Sequence, residues 1–107
     1  MMSENKIHEM QMIEQNLQNI LLQKQAFQME LSETEAALKE LNSAGEEVFK
    51  IVGNLMIKTD KNKTKGDLEN KTKLLELRLK SLEKQEDSLN QNVEMLREEF
   101  LKESKKK

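Results

Sequence analysis

Two uninterrupted heptad frames, one on each side of a short apolar block, constrain this chain more than any other feature. In the first frame the a positions are Met10, Leu17, Lys24, Leu31 and Leu38. Its d positions are Ile13, Ile20, Phe27, Thr34 and Leu41, so eight of ten are apolar and the frame never slips. In the second frame d is Leu68, Leu75, Leu82, Leu89 and Leu96, and a is Thr72, Leu79, Glu86, Val93 and Phe100, again eight of ten apolar. A strict seven-residue repeat belongs to helices that bury one stripe against a partner and supercoil left-handedly. The spacing predicts one helix over about 7–43 and a second over about 67–104, each roughly 50–60 Å long at 1.5 Å per residue. Proline, absent from the whole chain, interrupts neither. Gly45 is placed to cap the end of the first helix, and Asp67, after Gly66, to open the second.

The block between the helices has a different grammar. Val48, Phe49, Ile51, Val52, Leu55, Met56 and Ile57 are β-branched, aromatic or otherwise apolar, and Gly53-Asn54 splits them. Two short apolar runs around Gly-Asn predict a β-hairpin with a primed turn, over about 47–59. Residues 60–66, with Lys61, Lys63 and Lys65, then read as a polar loop. Helices of equal length joined at one end run antiparallel, so the expected fold is mainly α: a two-helix coiled coil with a central hairpin, in one domain over 1–107. The termini then meet at the end away from the hairpin. A coiled coil buries one stripe per helix and has nothing left to cover a hairpin, and an isolated hairpin is marginal in water. Its edges are open to further strands. The chain is therefore expected to oligomerise through Val48, Phe49, Ile51, Val52, Leu55, Met56 and Ile57.

Composition excludes several function classes. With no Cys and a single His, His8, the sequence offers no zinc-finger, thiol or His-based metal chemistry. No Gly-rich phosphate loop, nucleophile motif or paired catalytic carboxylates stand out, so neither an enzyme nor a cofactor is expected. Eighteen Lys and Arg against 20 Asp and Glu leave a net charge of −2, with the signs interspersed as on solvated helix faces. Only Arg78 and Arg97 are Arg, the better bidentate phosphate reader, so nucleic acid is not an expected partner. No apolar run approaches the ~18 residues of a membrane span. MMSENKIHEM lacks the apolar core of a signal peptide, so the expected location is cytoplasmic, away from membranes. Lys61–Lys65 reads as a solvated loop, and Lys105-Lys106-Lys107 as a tail suited to a helix C-terminus.

The order long helix, short hairpin, long helix, with EEVFKIVGNLMIKTDK over Glu46–Lys61, resembles the beta subunits of the prefoldin family. The VFKIVGNLMIK segment is the specific part; the seams alone fit any coiled coil. A single hairpin matches the archaeal beta type, since alpha-type subunits carry two. The resemblance implies an ATP-independent chaperone subunit in a hexamer of two alpha and four beta chains. Its hairpins would form an oligomeric β-barrel body. Its coiled-coil tips would hold unfolded proteins and deliver them to a group II chaperonin. The alternative is a structural scaffold or adaptor that merely oligomerises through its hairpin.

The residues make physical sense of tip binding. Ile7, Met10, Met12 and Ile13 face the level of Met95, Leu96, Phe100 and Leu101, with Met1 and Met2 beyond. Ile7, Met12, Met95 and Leu101 lie off the seam, and flexible, polarizable Met suits a surface that accepts many shapes. The same residues also fit a merely frayed helix end. Lys24 and Glu86, the charged interruptions of the two seams, fall at one level when Met10 is matched to Phe100. They form a register-setting pair, or each reaches water separately.

Overall fold

Helix occupies nearly all of the chain, because the heptad stripes run almost from end to end. The computed structural model describes residues 4–105, in the order α1 (Glu4–Ser43), β1 (Val48–Val52), β2 (Leu55–Thr59) and α2 (Lys61–Lys105). Met1, Met2, Lys106 and Lys107 lie outside the described residues. Two packed units result: a hairpin unit over 26–78, and a terminal unit made of residues up to 25 with those from 79 onward.

In the hairpin unit the helices run antiparallel. Thr34, Leu41 and Leu75 are buried, and the seam residues Phe27, Leu31, Leu38, Leu68 and Thr72 are half-buried. The seam threonines solve their own polar problem. Thr34 Oγ1 donates to the Glu30 carbonyl at 2.8 Å, and Thr72 Oγ1 to the Leu68 carbonyl at 3.0 Å. Each hydroxyl thus bonds one turn back and leaves its methyl for the seam. Lys71 Nζ reaches Glu30 at 3.1 Å, and the Arg78 guanidinium lies 5.7 Å from the centre of the Phe27 ring.

The hairpin pairs Val48 with Thr59, Phe49 with Lys58, Lys50 with Ile57, Ile51 with Met56 and Val52 with Leu55. The two-residue turn works because Gly53 takes φ +59°, while Asn54 keeps a negative φ. Positive φ at the first central residue alone is the type II′ pattern.

Two boundary expectations need correction. Residues 61–66 are not a loop: α2 starts at Lys61, six residues before Asp67. The cap is Asp60, whose Oδ1 accepts the Asn62 amide at 3.2 Å while its carbonyl accepts the Thr64 amide at 3.0 Å. Thr59 and Thr64 hydroxyls lie 3.4 Å apart across this start. Gly66 is consequently an interior helix residue. Nor is Gly45 a left-handed cap, since among the described residues Gly53 alone has a positive φ. Instead the Ser43 hydroxyl donates to the Lys39 and Glu40 carbonyls at 3.3 and 3.1 Å, and Lys61 Nζ donates to the Ala44 carbonyl at 2.7 Å. These bonds satisfy carbonyls that the helix end leaves open.

In the terminal unit the helices also run antiparallel. Ile13, Val93 and Leu96 form a buried cluster against which Met10, Leu17 and Leu89 pack. Ile20, Leu79 and Leu82 are buried too. Each such side chain contributes about 1.5–3 kcal/mol by leaving water.

Candidate functional site

Two surfaces stand out, and each is described within its own unit. The first is the hairpin. Opposed residues share a face, so Val48, Lys50, Val52, Leu55 and Ile57 line one side and Phe49, Ile51, Met56 and Lys58 the other. Both sides are bare. Ile51, Leu55 and Met56 are 70%, 67% and 68% exposed, and Phe49, Val52 and Ile57 are about half exposed; only Val48 is half-buried. A hairpin that is apolar on both faces and covered on neither has the character of one side of an unformed interface. Below it a groove of about 380 Å³ is lined by Ala37, Leu41, Ala44, Val48, Phe49 and Leu68, with Glu40, Glu47 and Thr64 at its rim.

The second surface is the apolar terminal unit, and here the eight expected side chains divide. Ile7, Met12, Met95, Phe100 and Leu101 are exposed, between 43% and 59%. Ile13 and Leu96 are buried in the seam, and Met10 packs against them. Ile7, Met12, Met95 and Leu101 are exposed as their off-seam register implies, while Met10, Ile13 and Leu96 belong to the seam. Ile13 and Leu96 hold the helices together, because a and d side chains point at the partner helix. Phe100 departs the other way: it is a seam position by register, yet it is exposed.

Charge organises the same unit. Lys6 Nζ sits between two carboxylates one helical turn apart, 2.9 Å from Glu103 and 3.2 Å from Glu99. The hydrogen bond to Glu103, then that to Glu99, raises the Lys6 pKa above the ordinary lysine value. Lys24 Nζ meets Glu86 Oε1 at 3.3 Å, both side chains being largely shielded from solvent. The two seam interruptions thus face one another, as their level in the heptads implied. A furrow of about 600 Å³ runs beside the seam, lined by amide and hydroxyl side chains including Asn16, Asn19, Gln23, Gln85 and Ser88.

Sequence reasoning missed a further set of exposed apolar side chains: Leu21, Leu22, Met29, Leu74 and Leu77. The heptad frame itself contained the signal, since Leu22, Met29 and Leu77 occupy outer f positions. Among the described residues no group of His, Cys, Asp and Glu could hold a metal ion, and no helix is long and apolar enough to cross a membrane.

A family model described as prefoldin subunit matches residues 4–107. Curated relatives called prefoldin subunit beta include one from Thermococcus onnurineus, 42% identical over 85 residues that cover 78% of this chain and 73% of the relative. Another, from Pyrobaculum islandicum, is 39% identical over 93 residues, covering 85% of this chain and 74% of the relative. The crystal structure of the prefoldin beta subunit from a Thermococcus strain superposes with a TM-score of 0.81 at 37% identity, over 90% of this chain and 86% of that one.

Proposed function

The chain belongs to the prefoldin family, on its beta-subunit side, and from that membership we propose that it is an ATP-independent holdase. Membership makes it a chaperone-type subunit of a hetero-oligomeric complex. In the finer reading, two alpha and four beta subunits join through their hairpins into a β-barrel body. The helix termini hold non-native polypeptide and deliver it to a group II chaperonin in the cytoplasm.

The observation that carries client binding is the set of five exposed apolar side chains on the terminal unit: Ile7, Met12, Met95, Phe100 and Leu101. Such a surface invites aggregation and needs a reason. Holding an unfolded chain requires many weak apolar contacts, each worth roughly 25 cal/mol per Å² before ordering costs. Several subunits gripping one client would add avidity without any new contact. Reaction chemistry plays no part in this reading.

The test replaces Ile7, Met12, Met95 and Leu101 together by Gln in the full chain, assembled with an alpha-type subunit. The exposed sites leave the seam intact, so helicity and assembled mass should persist. Suppression of client aggregation, measured without ATP, should fall several-fold. Undiminished suppression would refute the terminal assignment and favour the body or the exposed mid-helix leucines.

A further inference from the structure

The chain holds seven Met and no Cys, Trp or Tyr, so thioethers are its readiest targets for a two-electron oxidant such as a peroxide. The described methionines are not equivalent. Met12, Met29, Met56 and Met95 are exposed, whereas Met10 is half-buried against the cluster of Ile13, Val93 and Leu96. An oxidant must reach the sulfur to react, so Met10 is shielded where the other four are open.

Met12 and Met95 belong to the exposed apolar surface of the terminal unit, and both occupy c positions of their heptads, off the seam. Met95 also lines a furrow of about 260 Å³ with Lys6, Glu9, Asn92, Leu96 and Glu99. The furrow sets donors, the Lys6 ammonium and the Asn92 amide, beside the thioether. A sulfoxide oxygen is a strong acceptor and would find partners there. At a seam position such as Met10 the same oxygen would be pressed into apolar surroundings, at a cost to the helix pair.

We propose that Met12 and Met95 are modification sites for peroxide-class oxidants, and that their conversion to sulfoxide lowers client holding while the coiled coil stays intact. The proposal rests on the terminal reading above. A sulfur lone pair attacks one peroxide oxygen, and the O–O bond breaks as the S–O bond forms. With hydrogen peroxide, the transferred oxygen gives its proton to the departing hydroxide, which leaves as water. Sulfur is oxidised by two electrons and the peroxide is reduced by two. Two of the five exposed apolar side chains thereby become polar. Where several subunits grip one client, the loss at each compounds in the avidity.

The test treats the full chain, assembled with an alpha-type subunit, with hydrogen peroxide, and locates each sulfoxide by peptide mass spectrometry. Met12 and Met95 should oxidise several-fold faster than Met10. Suppression of client aggregation without ATP should fall several-fold, while helicity and assembled mass hold. Methionine sulfoxide reductases should restore the suppression. A Met12→Leu, Met95→Leu variant with the same alpha-type partner should suppress equally before and after treatment. Full suppression by wild type with Met12 and Met95 converted overturns the proposal; the fourfold Gln variant above, if it has lost suppression, then leaves the terminal reading standing. Undiminished suppression by that Gln variant overturns both together. Equal loss on treating the leucine variant would assign the effect to another group, and lost helicity would assign it to the seam; either overturns the proposal.

Discussion

Replacing Gly66 and Gly53 separately by Ala should move stability in opposite directions, and the difference is set by backbone alone. A Cβ built on either glycine meets nothing within 4 Å, so packing does not enter. Gly66 lies inside α2, with no positive φ. There Ala recovers the helix-propensity deficit of glycine, about 0.8–1.0 kcal/mol. Much of that gain arises because Ala restricts the unfolded chain more than Gly does. For 107 residues, an unfolding entropy of about 2.1 cal/mol/K per residue converts 0.9 kcal/mol into about 4 °C. Gly53 sits at φ +59°, where an L side chain is strained, so Ala should cost about 1–3 kcal/mol and lower Tm by about 4–13 °C. Thermal unfolding followed by far-UV circular dichroism reads both, and guanidinium melts at fixed protein concentration guard against a changed oligomeric state. A neutral or destabilising G66A would refute the placement of residues 61–66 in helix. It would restore the polar loop that the sequence composition implies.

Three other outcomes follow from the same geometry. In a double-mutant cycle with Lys24→Glu and Glu86→Lys, each single reversal should lower stability by about 1 kcal/mol, and the double should regain part of it through the 3.3 Å pair; zero coupling would mean that the two charges act independently. Ile51→Lys with Ile57→Lys, on opposite hairpin faces, should release subunits whose helicity is unchanged, and an unaltered oligomer mass would refute the assembly role. The Lys6 pKa is raised from 10.5, chiefly by Glu103, so its contribution is fully present below about pH 10.5 and lost as pH rises through the higher folded value. Amide exchange at the start of α1 should accordingly be faster in Lys6→Gln than in wild type at neutral pH, and the gap should close only in strong alkali.

What the sequence determined by itself is everything that depends on period. Ile13, Ile20, Leu75, Leu82 and Leu96 recur every seven residues, and any antiparallel helix pair must bury such a stripe. Gly53 between two apolar runs specified the hairpin for a similarly local reason, since its positive φ needs no distant partner. That Lys24 and Glu86 lie at one level followed from counting heptads from a shared turn; that they meet, rather than reach water separately, was decided by packing. The start of α2 joined a local signal, the Asp60 cap, to a non-local one, the Lys61 bridge to Ala44. Lys61, Lys63, Lys65 and Gly66 are locally poor helix formers for that position. The helix nonetheless extends back to them, because Asp60 caps it and Lys61 bridges to the carbonyl left open at the end of α1. At the apolar terminus the heptads already separate Ile13 and Leu96 on the seam from Ile7, Met12, Met95 and Leu101 off it, and what packing added is the exposure of Phe100, an a position left 43% exposed. Period tells which side chains face the partner helix, but whether each of them is covered there depends on what the partner places opposite, and that is settled only when two helices pack.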